Sequence, residues 1–246
     1  MIEVVTGMLI LGLIVLQSPI PARKSDRECE GFVGPVKRAH EEWSPVSGYS
    51  SPPDARCPAR THTFDQDGRL TQYSYYFGGC SGGEDREYYK YDQDGSRTTR
   101  FEFIQGKNTP PPPPPPPEVE GPLKTTFSYD AKGMLIEKAN FRGGKPINKS
   151  TYKYDDKGRV QESEYDNLTG QRSRFVSKYE GEKRFPESQV SFDGNSNNPR
   201  STTTYTDYEL NHQGDWIKRK VTIQETGGRT YVAIHYRRIE YYPAKK

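Results

Sequence analysis

Short runs in which aromatic or aliphatic residues alternate with polar ones recur along the chain. Tyr73, Tyr75 and Phe77 fall on one face of an extended strand, because successive side chains of a strand point to opposite faces. The same spacing occurs in Tyr89 and Tyr91, in Phe127 and Tyr129, and in Tyr152 and Tyr154. The 3.6-residue period of an amphipathic helix is absent from the sequence, so the pattern predicts an all-β fold.

A turn motif that ends in glycine separates these runs. Its clearest copies are FDQDGRL from Phe64, YDQDGSR from Tyr91, YDAKGML from Tyr129 and YDDKGRV from Tyr154. The paired turn residues are Asp65 and Gly68, Asp92 and Gly95, Asp130 and Gly133, and Asp155 and Gly158. The Asp of such a type I turn accepts hydrogen bonds from backbone N–H groups that follow it, and the Gly supplies the positive φ of a G1 bulge.

Turns of this kind join antiparallel strands. We therefore expect an antiparallel meander of about 12 hairpin strands that forms a curved or coiled sheet between about residues 30 and 243. A closed β-barrel, or two small sheets divided at a proline-rich segment, are the alternatives.

The turn motifs resemble those of the RHS, or YD-repeat, family, whose consensus is roughly Tyr-x-Tyr-Asp-x-x-Gly-Arg-Leu. TYKYDDKGRV (151–160) is a close match, and the resemblance covers about residues 60 to 225. The chain departs from the consensus at Ser96 and Met134, where a basic residue usually follows the glycine. In large family members the hairpins coil into a shell around a toxin, but this chain is too short for one. The resemblance implies a small exported bacterial protein built from hairpins.

The first 22 residues predict a signal peptide. An apolar run from Val4 to Leu16 is followed by small and turn-forming residues up to Ala22. The run is shorter than the roughly 20 residues of a membrane span. An uncleaved anchor and a buried first strand are the alternatives. We expect export to the periplasm, the cell surface or the medium, no stable membrane span after cleavage, and one domain over residues 23–246.

A proline-rich insertion at residues 108–121 interrupts the repeat. Its eight consecutive prolines, Pro110 to Pro117, favour a polyproline II segment that projects as a loop or acts as a spacer. Such a segment is a potential ligand for a proline-recognising groove. A tolerated low-complexity insertion is the simpler interpretation, because export removes it from the cytoplasmic proteins that bind such segments.

Composition agrees with a folded, exported chain. The mean hydropathy is −1.00, but the formal net charge is only +3, and charged residues alternate with 18 Tyr and 10 Phe. Disorder by composition requires a higher net charge. The mild basic excess is also too small and too dispersed for a nucleic-acid site.

Cys57 and Cys80 flank one predicted hairpin and are the expected disulfide in an oxidising compartment; Cys29 is the third cysteine. Cys80 and Ser81 also lie in a glycine-rich loop that is superficially similar to a nucleophile loop. A hydrolase that uses this loop with a histidine is the alternative function. Because the disulfide already explains Cys80, we expect no enzyme activity.

We expect no metal and no cofactor. Asp65 and Asp67, like Asp92 and Asp94, are fragments of a calcium loop without its remaining ligands, and the turns already explain them. The four histidines lack the spacing of a zinc site.

The Tyr-rich strand faces are the candidate binding surface. Its residues are Tyr73, Tyr75, Tyr89, Tyr91, Tyr129, Tyr152 and Tyr154. Exposed Tyr beside Arg and Lys can stack on sugar rings, whereas the same rings could instead form the core of the sheet. The sequence therefore favours a non-catalytic exported binding or scaffold protein of the cell envelope, with a cell-wall glycan or another envelope protein as partner. A toxin-associated or immunity role is a further alternative.

Overall fold

The computed structural model describes residues 24–48, 55–77, 82–106, 121–194 and 196–243. Within these ranges, one short helix, α1 (Asp26–Cys29), precedes 14 strands. The strands are β1 (Val36–Ser47), β2 (Cys57–Phe64), β3 (Leu70–Tyr76), β4 (Glu84–Tyr91), β5 (Arg97–Ile104), β6 (Leu123–Tyr129), β7 (Leu135–Arg142), β8 (Lys145–Tyr154), β9 (Val160–Asp166), β10 (Arg172–Lys178), β11 (Ser188–Asp193), β12 (Pro199–Leu210), β13 (Trp216–Glu225) and β14 (Thr230–Tyr241).

The strands form a closed barrel. Each strand pairs antiparallel with its neighbours in the chain, and β1 also pairs with β14, where Glu41 lies opposite Arg237. The all-β antiparallel meander is thus confirmed, in the form of the closed-barrel alternative. The curved or coiled sheet that was the first expectation is not confirmed, because the sheet closes on itself. Sheet twist and coiling bring the first and last strands together, and their pairing satisfies both edges.

The Asp-x-x-Gly segments turn as their chemistry requires. The carboxylate of Asp155 accepts hydrogen bonds from the backbone N–H groups of Lys157 and Arg159, at 3.0 and 2.9 Å. Gly158 has a φ of +73°, and a register shift lies beside the turn, between Lys153 and Tyr154. Each such turn follows an even-numbered strand. All of them therefore lie at one end of the barrel, which we call the turn end.

A segment of the chain before β1, residues 24–34, closes the turn end; we call it the plug. Its backbone N–H groups bond to the turns after three different strands: Arg27 N donates to Gly68 O at 3.0 Å, and Lys24 N to Gly133 O at 3.3 Å. Val33 N donates to the Asp215 carboxylate at 2.7 Å. Because these turns lie at separate points on the rim, the plug crosses the opening.

A hydrophobic core cluster joins the plug to the wall, since it includes Phe32 of the plug itself. Its buried members are Phe32, Val36, Ala39, Phe64 and Leu70. Phe32 packs edge-on against Phe64, with ring centroids 5.5 Å apart. This cluster is small for a barrel of this length, so much of the interior is left to Tyr and charged residues.

Some predictions fall outside the described ranges. They concern the signal peptide at residues 1–22, most of the proline-rich insertion at 108–121, and Cys80. The insertion belongs to the connection between β5 and β6.

In the part of the chain that the structure describes, no helix has the length and apolar character needed to cross a membrane.

Candidate binding site in the barrel lumen

Two adjoining cavities lie inside the barrel, beside the plug. The larger has a volume of about 660 Å³ and is lined from β2 round to β11. The smaller, of about 410 Å³, is lined mainly by the plug and by β8 to β14. Cys29 and Glu30 of the plug line both cavities, as do Arg60 and Tyr154 of the wall. The plug is therefore part of the lumen surface.

The Tyr residues of the candidate surface belong to the inner face of the wall. Tyr73, Tyr89, Tyr152 and Tyr154 line the larger cavity. Tyr91 donates to Asp26 of the plug, Tyr129 lies opposite Leu135, and Tyr75 lies opposite Arg60 and is 51% exposed. The structure thus brings most of these residues together as the surface of the lumen. It does not present them as a platform on the outside of the barrel.

A buried carboxylate holds two arginines at the seam between β14, β1 and β2. Glu41 is 1% exposed and accepts from Arg60 Nε at 2.6 Å and from Arg237 Nε at 2.9 Å. Burial alone would raise the pKa of Glu41, but the charges of Arg237 and Arg60 outweigh it and hold the pKa well below its usual range. Glu41 is therefore ionised and neutralises part of the charge of this cluster.

Two further cations face the larger cavity, and among the described residues neither has a carboxylate within ion-pair distance. Arg97 is 4% exposed, and its Nε has no hydrogen-bond partner among the described residues. Its guanidinium carbon lies 3.9 Å from the ring centroid of Tyr89 and 5.3 Å from that of Phe127. Burial, followed by the charge of Arg97, lowers the pKa of Lys138, and the more distant carboxylates Glu30, Glu87 and Asp26 offset this only in part.

The acidic groups around the larger cavity are engaged elsewhere. Asp26 accepts from Leu70 N at 2.8 Å and from the Tyr91 hydroxyl, and Glu87 accepts from the hydroxyl of Tyr89. Glu30 lies 3.5 Å from His62. Burial by itself would raise the pKa of Glu30, but the hydrogen bond and charge of His62 lower it to about 2.

The outer face of the wall is charged. Lys153 pairs with Glu162 at 2.5 Å, and Arg174 pairs with the same carboxylate at 3.5 Å. Lys149 lies 3.8 Å from Glu137, and Arg100 lies over the ring of Tyr88 at 4.4 Å. Ion pairs that bridge neighbouring strands thus cover the outside of the barrel, whereas rings are concentrated inside.

The residues of the hydrolase alternative are not brought together in the described ranges. His40 lies on the outer face, where its Nδ1 is 2.8 Å from the Thr61 hydroxyl, whereas His62 faces the lumen. Cys80 and Ser81 lie outside the described ranges, so this alternative stays a prediction. Among the described residues, no cluster of His, Cys, Asp and Glu could hold a metal ion.

Cys57 is disulfide-bonded, and Cys29 is free. Because Cys80 lies outside the described ranges, its pairing with Cys57 stays a prediction. Cys29 is exposed and borders the cavities, yet its surroundings, first by desolvation and then through Asp26 and Glu30, raise the pKa of its thiol to about 12.

Comparison with known proteins adds little to this geometry. No family model matches the chain, and no curated protein matches it. Among solved structures, a porin-like protein from Bacteroides uniformis ATCC 8492 is similar, with 15% identity over 85% of this chain and 98% of that chain, at a TM-score of 0.48. A likeness at this level says nothing about what this chain binds. The resemblance to RHS proteins rests on the turn motifs alone.

Proposed function

We propose that this chain is a non-catalytic exported binding protein of the cell envelope that holds a small ligand inside its barrel. The observation that carries the proposal is the cavity of about 660 Å³, lined by rings such as Tyr73, Tyr89 and Phe127 and by a few converging charged groups. Ligand sites are typically concave, largely apolar, and about 300–1,000 Å³ in volume. The cavity has this size, and its rings lie among polar and charged groups that make up the larger part of its lining.

The charged outer wall supports a barrel that is surrounded by water. A barrel wall in contact with lipid presents an apolar band of outward-facing residues. Here the outward positions carry ion pairs such as Lys153 with Glu162 and Lys149 with Glu137. The lumen is then a binding cavity rather than a path across a membrane, and the plug closes its turn end.

This proposal moves the ring-stacking site from the outer surface to the lumen. Rings that line a closed barrel can stack on a single sugar or on another flat ring of similar size. They cannot take up a continuous polymer along a strand face. A ligand derived from an envelope glycan would therefore be a small fragment of it.

A matched pair of variants on β9 tests the proposal. Ser163 lines the larger cavity, whereas the next residue, Glu164, is exposed on the outer wall. Ser163→Trp should fill the lumen, and Glu164→Trp should leave it open. Binding is measured by calorimetry and by the shift in Tm with four ring compounds: 2-naphthoate, 2-naphthamide, D-glucuronate and D-glucuronamide.

We expect at least one compound to bind saturably to the wild type and to Glu164→Trp, and to lose most of its affinity for Ser163→Trp. Wild-type binding that survives unchanged in a folded Ser163→Trp variant would place the site elsewhere. An absence of binding by all four compounds would also count against a lumen site.

A further inference from the structure

We infer that the ligand carries an anionic group, a carboxylate or its equivalent, which binds between Arg97 and Lys138 while the ring of the ligand packs on the aromatic wall. This inference rests on the proposed function and specifies the chemistry of its site. The positions of the two cations, the unpaired Nε of Arg97 and the rings around them carry the argument.

The register of three strands brings the cations to the same place. Arg97 on β5 lies opposite Thr125 on β6, and Lys138 on β7 lies opposite Phe127 on β6. Thr125 and Phe127 are neighbours on the inner face of β6. Arg97 and Lys138 therefore flank β6 from its two sides, each about 4.8 Å away in the hydrogen-bonding direction. An anion above Phe127 is within reach of both long side chains.

These two cations lack the close ion pairs that the arginines at the seam form. Arg60 and Arg237 share the carboxylate of Glu41. Arg97 is 4% exposed, whereas the side chains of Arg237 and Arg60 are 7% and 40% exposed, yet it has no carboxylate within 4 Å among the described residues and leaves its Nε unpaired. A buried charge without a close carboxylate is costly, and the face of Tyr89, a hydrogen bond with Tyr91 and the more distant Asp26 compensate only part of that cost. A ligand anion would supply the missing partner.

The acidic residues of the cavity attract the two cations only from beyond ion-pair distance: Asp26 acts on Arg97, and Asp26, Glu30 and Glu87 act on Lys138. Glu87 accepts from Tyr89, Asp26 accepts from Leu70 N and Tyr91, and Glu30 pairs with His62. These carboxylates also make the cavity selective. A dianionic or polyanionic ligand would meet their repulsion, so the site favours a single negative charge.

The aromatic residues of the cavity lining indicate what the uncharged part of the ligand is. Tyr73, Tyr89, Phe127 and Tyr152 all line the cavity that contains Arg97 and Lys138. Flat rings bind to such walls by stacking, and both sugars and aromatic compounds have suitable faces. The shared chemistry is a ring of this size that bears one carboxylate.

The test compares each acid with its neutral amide. 2-Naphthoate and 2-naphthamide share one ring system, and D-glucuronate and D-glucuronamide share another. We expect the wild type to bind at least one acid roughly 10- to 100-fold more tightly than its amide, as hydrogen bonds to charged groups predict. The pair that shows this preference identifies the ring as aromatic or sugar.

Two variants test whether the preference for the acid over its amide arises at Arg97 and Lys138. Arg97→Gln should abolish it, whereas Arg100→Gln, three residues along β5 on the outer face, should keep it. Lys138→Met provides the second lumen variant if Arg97→Gln fails to fold. Equal binding of acid and amide by the wild type, or an unchanged preference in Arg97→Gln and in Lys138→Met, would overturn the anion site. Binding of the amides that Ser163→Trp abolishes would leave the proposed function standing.

Discussion

Arg237 of the last strand donates a hydrogen bond to Glu41 of the first strand at 2.9 Å, across the seam where the barrel closes. The two residues are 196 positions apart in the chain. Arg60 of β2 completes the cluster from the other side, at 2.6 Å. One buried carboxylate thus connects three strands, two of which are the ends of the meander.

Replacing this carboxylate should destabilise the barrel strongly. Glu41→Gln leaves Arg60 and Arg237 without their shared partner, so we expect the free energy of unfolding to fall by about 3–5 kcal/mol. Urea denaturation measures the change. The control is Glu42→Gln, which removes ion pairs with Arg238 and Arg56, whose side chains are 77% and 57% exposed, and a contact with His40 at 3.7 Å; it should cost about 1 kcal/mol or less. Equal losses in the two variants would contradict a special role for Glu41.

The same cluster predicts a loss of stability in acid. The pKa of Glu41 is held well below its ordinary value of 4.5 in the folded protein. Its stabilisation is therefore fully present above pH 4.5 and declines as the pH falls below that value. Glu30, whose pKa is lowered to about 2, contributes with the same sign between pH 4.5 and 2.

Urea midpoints measured from pH 7 to pH 3 check this expectation. The midpoint of the wild type should fall below pH 4.5, and that of Glu41→Gln should fall less steeply. Parallel pH profiles for the two proteins would show that Glu41 is not the group responsible.

Asp215 should hold the plug in place. Its side chain is fully buried and accepts from Val33 N of the plug and from the Tyr241 hydroxyl, both at 2.7 Å. Asp215→Ala leaves these two donors unpaired, at a cost of about 1–3 kcal/mol for each group that stays buried. We expect trypsin to cleave after Lys24 or Arg27 sooner than in the wild type. Asp193→Ala, at an exposed position, is the control; similar cleavage rates in both variants would be the contrary result.

Two glycines separate the effect of backbone conformation from that of space. Gly214 has a φ of +82° and Gly227 does not have a positive φ, while an added Cβ would meet no atom within 4 Å at either position. Gly214→Ala should cost about 1–2 kcal/mol, because an L-residue is strained at that φ. Gly227→Ala should be neutral or stabilise by up to about 1 kcal/mol. Thermal unfolding distinguishes them, and equal shifts in Tm would refute the explanation.

The cysteine assignments are open to chemical mapping. Without reduction, peptide mass spectrometry should recover Cys57 linked to Cys80. Cys29 should alkylate slowly in the native protein at pH 8, because its thiol pKa is about 12, and rapidly after unfolding in urea. Recovery of alkylated Cys57 from unreduced protein would exclude the predicted pair.

The local part of the fold could be read from the sequence, and the long-range part could not. The turn from Asp155 to Gly158 is determined by contacts within five residues, so its sequence motif is enough to predict it. Closure of the barrel depends on pairing between β1 and β14, and no local sequence pattern predicts this pairing. The count of about 12 strands also fell short of the 14 in the described residues, because strands such as β10 and β11 lack a clear turn motif between them.

The candidate site was predictable only in part. The spacing of Tyr152 and Tyr154 correctly placed them on one face, but both faces of the wall are rich in polar residues, so the pattern did not reveal which face is inside. The sequence pattern did not indicate Arg97 and Lys138 as lumen residues, because charged residues normally lie on the outside of a protein. The alternation of side chains along a strand could have indicated Arg97, since it lies opposite Tyr91 in the β4–β5 hairpin and so shares its face.

The seam between β1 and β14 also has a consequence for folding kinetics. Each hairpin can form early from neighbouring residues, but the bond between Glu41 and Arg237 requires the ends of the whole chain to meet, and the entropy of closing so long a loop opposes it. Folding rates fall as the average sequence separation of contacts grows. We therefore expect hairpins to form first and closure of the seam to be the slow step. Until then Glu41 remains without Arg237, and the lumen does not exist.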